Sequence, residues 1–289
     1  MSPFSSVAIL GPGLLGGSLL HDAKRLGWKN VRAWTRREEI TRRILDAGLA
    51  QISSTDLGTC VNGADLIVLA SPIGTYASLT ADLLRLPLAS GVTITDVGSV
   101  KGPVVHGIGR QLTEAGIAFV GGHPMAGSEA KGLDAARPHL FDNTACLLTP
   151  VASTPAAALR QVSSFWLSLG SRVTSVDPDL HDAIMARISH VPHLAAAAIV
   201  LAALSEDPSI AQYAAGGLRD TTRVASGDPA MWEEILRENR SAVLHAGREL
   251  HQKLGELLEF LENMDHHPLL SALRQAKHLR DARYPFPSS

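Results

Sequence analysis

Near its start the chain passes from an apolar run, Val7-Ala8-Ile9-Leu10, straight into Gly11-Pro12-Gly13-Leu14-Leu15-Gly16-Gly17-Ser18, and then into a helical pattern reaching Leu26. Buried strand, Gly-x-Gly-x-x-Gly, helix: this is the order that a dinucleotide-binding βαβ unit requires. Gly11 makes the tight turn, Gly13 lets a pyrophosphate approach the backbone, and Gly16 lets the helix pack on the strand. Leu14 and Leu15 open the helix, whose unpaired N–H groups face the phosphates.

The alternation of strand and helix then continues. Val31–Trp34 reads as a second strand, residues 66–70 as another ending in Ser71-Pro72, and residues 92–95 as another ending in Asp96-Val97-Gly98-Ser99-Val100-Lys101. Residues 117–120 lead into a glycine-rich turn, Gly121-Gly122-His123-Pro124-Met125-Ala126-Gly127-Ser128-Glu129. Strands separated by helices form a parallel sheet, and ligands bind at its carboxyl edge. Ser71, Pro72, Ser99 and His123 are therefore expected at one edge. A helix over residues 133–140, a strand over 144–148, a helix over 156–169 closed by Gly170, and a strand over 172–175 complete this half.

Beyond Asp177 the pattern becomes helical only. Pro178 suits a first turn, and Pro192, which cannot donate to the carbonyl of Ile188, predicts a kink in a helix over 179–204 beside His190 and His193. Further helices are expected over 209–215, 228–247 and 248–261, with 216–223 as a loop and a frayed tail from Asp281. The expected fold is α/β: an N-terminal Rossmann-type doubly wound sheet over residues 1–176, then an all-α domain over 177–289.

Composition narrows the function. Across 289 residues the charged share is 19% and the net charge −2, which argues against nucleic-acid or membrane-surface partners. The longest apolar run, near residues 194–204, is too short to span a bilayer and reads as a buried core helix. Residues 1–6 carry no secretory signal, and Cys60 and Cys146 lie far apart without metal-ligand spacing, which fits a reducing cytoplasm. His190 and His193 lack a carboxylate at ligand spacing, so no metal site is expected.

At the end of the second strand an NAD-binding chain usually carries a carboxylate for the ribose hydroxyls. Here Thr35-Arg36-Arg37 stands instead. With nothing to repel a 2′-phosphate and two guanidiniums to pair with it, NADP is the expected cofactor, NAD the alternative.

Five blocks together resemble the prephenate and arogenate dehydrogenases of tyrosine biosynthesis. They are the glycine motif; Asp96-Val97-Gly98-Ser99-Val100-Lys101; Gly122-His123-Pro124-Met125-Ala126-Gly127-Ser128-Glu129; His181-Asp182 with Ser189-His190-Val191-Pro192-His193; and Arg219-Asp220-Thr221-Thr222-Arg223-Val224-Ala225 leading to Asp228-Pro229-Ala230-Met231-Trp232. Two departures stand out. Ala130-Lys131-Gly132 replaces the family's Lys-Ser-Gly, which shifts or removes a lysine contact, and neither a chorismate mutase segment nor a regulatory domain is expected.

The resemblance implies oxidative decarboxylation, in which hydride passes from the hydroxyl-bearing ring carbon to a nicotinamide and the ring carboxylate leaves. His123 is the expected proton acceptor, its imidazole titrating near neutrality. Ser99 is expected to orient it. For the substrate carboxylates the resemblance offers Arg223, with His193 on the kinked helix; Asp182 and Glu129 would partner Arg223, and Trp232 would wall the pocket. His190 reads as a core histidine bonded to the freed carbonyl. The helical half is expected to form a homodimer around residues 195–203. A β-hydroxyacid-type dehydrogenase shares the architecture but needs a lysine on its long helix, and no lysine occurs between Lys131 and Lys253. A non-enzymatic NADP sensor would not need Ser99, His123 and Arg223 together.

Overall fold

In a strand covered on both sides, successive side chains must enter opposite apolar layers. β1 (Val7–Leu10) does so: Val7 and Ile9 join one core layer, Ala8 and Leu10 the other, all buried. The computed structural model describes residues 3–127 and 130–284. α1 (Leu14–Arg25), β2 (Val31–Trp34), α2 (Glu38–Asp46), β3 (Ile52–Ser54), α3 (Leu57–Val61), β4 (Leu66–Leu69), α4 (Tyr76–Leu83) and β5 (Thr93–Asp96) follow in alternation. Next come α5 (Gly102–Val104), which passes through a π turn into α6 (Arg110–Glu114), then β6 (Ala118–Pro124), β7 (Ala145–Thr149), α7 (Ala156–Ser168) and β8 (Arg172–Ser175).

The sheet runs β3-β2-β1-β4-β5-β6-β7-β8. Pairs up to β6 are parallel, β7 is antiparallel to β6, and β8 is parallel to β7. α1 and α7 cover one face, where Phe165 packs on Trp28 with ring centroids 5.4 Å apart. α4, α5 and α6 cover the other. Each fully buried Leu, Ile, Val or Phe in these layers contributes about 1.5–3 kcal/mol.

Two expectations in this half change. The segment after Gly132 forms only a 3-10 turn, Leu133–Ala135, because Pro138 offers no N–H and His139 takes a positive φ of 63°. It serves the core instead, burying Leu133, Leu140 and Phe141. His123, expected in a turn, lies within β6, because that strand changes partners. Up to Val120 it pairs with β5; from Gly121 to Pro124 it pairs with β7, His123 opposite Leu147.

In the helical half, α8 (Pro178–Met185) leads through a π turn, Ala186–His190, into α9 (Val191–Leu204). The expected irregularity thus falls in the turn before Pro192, a π turn absorbing the missing hydrogen bond. α9 is not the buried core helix expected: Leu194, Ile199 and Leu201 are exposed. The continuous helix Pro178–Leu204 is also long and apolar enough, by length and composition, to cross a membrane, with 33% of its apolar window buried. Residues 209–215 give a 3-10 segment, Pro208–Tyr213, rather than a helix. The expected loop at 216–223 is α10 (Gly216–Thr222). Its two glycines occupy the first turn, where N–H groups lack helical partners anyway. α11 (Pro229–Glu238) and α12 (Arg240–Glu262) break at Asn239, not at Gly247. α13 (His266–Arg283) extends beyond the point where fraying was expected.

Candidate active site

The cofactor candidates meet where β1, β2 and β4 end. Gly11 has φ +101°, and a Cβ there would lie 2.6 Å from Ser71 N. A Cβ on Gly16 would lie 2.3 Å from the carbonyl oxygen of Gly11. Around Gly13, by contrast, nothing lies within 4 Å of that position, so the backbone is open to a ligand where Leu14 and Leu15 begin α1. Ser71 Oγ is 2.8 Å from Thr75 Oγ1, which donates to Pro72 O at 2.7 Å and fixes the turn after β4. Thr35 is buried, its Oγ1 accepting from Arg37 N at 3.3 Å, while Arg36 and Arg37 are exposed just before α2. This arrangement fits a dinucleotide: a close backbone approach, a helix N-terminus and two accessible guanidiniums.

The second cluster is built around the partner change in β6. Asp96, at the end of β5, accepts from Gly122 N at 3.0 Å and from Gly98 N at 2.9 Å. Lys101 pairs with Asp96 and donates to Gly122 O at 2.9 Å. Both side chains are completely buried. Burial pulls the Lys101 ammonium down from its usual range, with Asp96 opposing that shift. The pair fastens the loop carrying Ser99 to the strand carrying His123. Breaking one side would leave an uncompensated buried charge, typically about 3–5 kcal/mol.

His123 Nδ1 lies 2.9 Å from His181 Nε2, and His181 Nδ1 lies 2.8 Å from Asp182 Oδ1. Asp182 also accepts from Lys101 N at 2.7 Å and Gly102 N at 2.8 Å, which anchors α8 to the start of α5. Burial pushes His123 well below the usual imidazole range, with His181, Lys101 and His190 acting in the same direction. His123 therefore stays neutral, as an acceptor must.

His123 and Ser99 line one cavity of about 260 Å³, together with Met125, His190, Val224 and Trp232. Ser99 shares the cavity, but the partner that holds His123 is His181. Asp182, expected beside Arg223, is committed to His181 and α5. Arg223 is exposed at the start of a 3-10 turn, Arg223–Ser226, next to the wall residue Val224. His193 stacks on Trp232 at 3.7 Å between ring centroids, inclined by 9°, and so backs the wall rather than lining the cavity. Glu129 lies outside the described residues. Lys131, the displaced lysine, pairs with Asp228, the residue capping α11.

His190 is satisfied differently from the expectation. Asn239 Nδ2 donates to the carbonyl oxygen of Asp182 at 2.8 Å and lies 3.1 Å from His190 Nδ1. Burial pushes His190 down to about 4. His181, Asn239 and the Asp96–Lys101 pair were missed as functional candidates; charge at the end of an apolar strand was the available signal for the pair, and His181 and Asn239 had no local one. A larger cavity, about 620 Å³, lies behind this network and is lined by His106, Asp182, Arg187 and His245, but not by His123. The smaller cavity is the one that His123 and Ser99 line.

A Rossmann edge open to a dinucleotide, beside a buried neutral histidine in a small cavity closed by a helical half, defines a nicotinamide-dependent dehydrogenase. Family models agree in detail: the prephenate dehydrogenase nucleotide-binding domain matches residues 25–175, and the prephenate dehydrogenase dimerization domain matches residues 177–275. The chain belongs to the prephenate dehydrogenase family. It is 31% identical to a Bacillus subtilis prephenate dehydrogenase, over 96% of this chain and 75% of that protein. An Aquifex aeolicus prephenate dehydrogenase, solved with hydroxyphenyl propionate and NAD+, superposes with a TM-score of 0.88 at 30% identity, covering 97% of each chain. A Synechocystis arogenate dehydrogenase does so with a TM-score of 0.83 at 30% identity, over 96% of this chain and 99% of that one.

Proposed function

We propose that the chain oxidises prephenate to 4-hydroxyphenylpyruvate and carbon dioxide, with NADP as the preferred acceptor. The observation that carries this reading is the placement of His123: neutral by burial, held at Nδ1, and lining a cavity adjacent to the dinucleotide edge. When bound, the nicotinamide supplies the hydride-accepting carbon; the remaining work falls to the chain. His123 Nε2 takes the proton of the ring hydroxyl as the carbon beneath it is oxidised. Ser99, on the neighbouring loop, orients that hydroxyl. Arg223 pairs with a substrate carboxylate through its planar guanidinium. Val224, Met231, Trp232 and Ile235 keep water from the ring.

NADP preference rests on Thr35 standing where a carboxylate would repel a 2′-phosphate, with Arg36 and Arg37 exposed beside it. The dimerization-domain match and the exposed Leu194 and Leu201 on α9, with Leu250, Leu254 and Leu258 on α12, support a homodimer through the helical half. Arogenate, which carries an amino group where prephenate has a keto group, is the second reading, favoured by the Synechocystis likeness. One experiment separates them: nicotinamide reduction measured spectrophotometrically with prephenate and with arogenate, each against NAD and NADP. Reduction with prephenate and NADP is expected; its absence in all four combinations would remove the dehydrogenase reading.

A further inference from the structure

His123 can work as a base only if its Nε2 is unprotonated, and in a neutral imidazole that requires the proton on Nδ1. The chain of contacts behind the ring decides which nitrogen carries it. Asp182 accepts a backbone N–H bond on each carboxylate oxygen, from Lys101 on Oδ1 and from Gly102 on Oδ2, so both oxygens act as acceptors. His181 Nδ1, 2.8 Å from Asp182 Oδ1, must then be the donor. With His181 neutral, its Nε2 keeps a lone pair, and His123 Nδ1, 2.9 Å away, donates to it. The proton on His123 is thereby fixed at Nδ1, and Nε2 is left as the acceptor on the cavity side.

We propose that His181 and Asp182 are positioning residues for the reaction: they fix the tautomer and orientation of His123 through a buried Asp182–His181–His123 chain. This rests on the reading of His123 as the proton acceptor. His181 is fully buried and so cannot exchange partners with water, while Asp182, at the edge of the larger cavity, is held by its bonds to Lys101 N and Gly102 N. The rings of His123 and His181 meet at 63° with centroids 5.1 Å apart, an edge approach that aims one nitrogen at the other rather than stacking the faces. When Nε2 takes the substrate proton, the bond from His123 Nδ1 to His181 becomes charge-assisted, with the Asp182 carboxylate as the counter-charge one ring away. Placing the wrong tautomer in a histidine base costs on the order of 10⁴ in rate where it has been isolated.

The test uses two variants and a readout independent of activity. His181→Leu removes the acceptor for His123 Nδ1. His181→Gln keeps one, because its amide oxygen can accept from His123 while its NH₂ donates to Asp182. With folding confirmed by circular dichroism and nucleotide affinity unchanged, His181→Leu should lower kcat by roughly 10²-fold or more with KM little changed, and His181→Gln should recover most of that loss. Imidazole ¹⁵N shifts of the resting wild type should report His123 protonated at Nδ1, and those of His181→Leu a shift toward Nε2–H. A wild-type His123 protonated at Nε2 would overturn the proposal, as would a folded His181→Gln no faster than His181→Leu. Inactivity of His123→Asn, by contrast, bears only on the base itself, so the two readings fail separately.

Discussion

At the β1–β4 edge the surface offered to a ligand is backbone: glycines whose missing side chains leave room, a helix N-terminus, and a turn fixed by Ser71 and Thr75. At the β5–β6 edge it is side chain: His123 held by His181, His181 by Asp182, and the intervening loop by Asp96 and Lys101. A backbone site needs mostly local spacing: one βαβ unit supplies the glycines and the helix N-terminus, and β4 adds only the turn at Ser71. A side-chain site draws on segments far apart in sequence and requires a second half of the molecule to finish it.

The contrast can be broken most sharply at His123. His123→Asn should lower kcat by roughly 10²–10⁴-fold while nucleotide binding, followed by fluorescence titration, stays normal. A parallel loss of nucleotide affinity would mean the two edges are not separable. Asn239 tests the remote support of the side-chain site. Removing its bonds to Asp182 and His190 with Asn239→Ala should cost about 1–3 kcal/mol in urea unfolding, with kcat reduced as well; an unchanged midpoint would show that the break between α11 and α12 does not depend on it.

The same cluster should also set the acid limit. His123 lies well below, and His190 at about 4, against an ordinary value of 6.5. Both folded-state values lie below the unfolded one, so the fold favours the neutral rings. Stability from them is complete above pH 6.5 and is lost as pH falls from 6.5 toward 4, at up to about 1.4 kcal/mol per pH unit for each ring. Urea midpoints taken from pH 7 to pH 4 would show this slope, and His190→Gln should flatten part of it. The smallest effect belongs to the backbone edge. Arg37→Ala should reduce the preference for NADP over NAD by roughly two- to fivefold, the worth of an exposed ion pair, measured as the ratio of the two kcat/KM values.

The difference between the two edges also explains what could be read from the sequence. Val7–Leu10 followed by the glycine motif identifies the nucleotide half because turn, approach and packing are all imposed within one short stretch. β1, β2 and the ends of β4 and β5 follow from apolar runs of strand length. His123 and Ser99 could be placed at one edge by topology alone. His181 could not be assigned its task, because nothing local distinguishes a histidine that faces another histidine from one that caps a helix. Asn239 was hidden for a similar reason: its side chain is spent on Asp182 and His190, and the helix breaks there rather than at Gly247, the residue with the weaker helical propensity. The 3-10 turn at Leu133–Ala135 was missed because its apolar spacing serves packing against α1, not a helical face of its own.

The change of partners within β6 has a consequence for how the protein is made. Synthesis proceeds from the N-terminus, and the strands that shape the nucleotide edge are all present once β5 has been released from the ribosome. The outer half of β6 must wait for residues 145–149 to pair with it, and His123 must wait for residue 181. A nascent chain can therefore hold a dinucleotide fold before it holds the His123 cluster, which is complete only when the second half arrives.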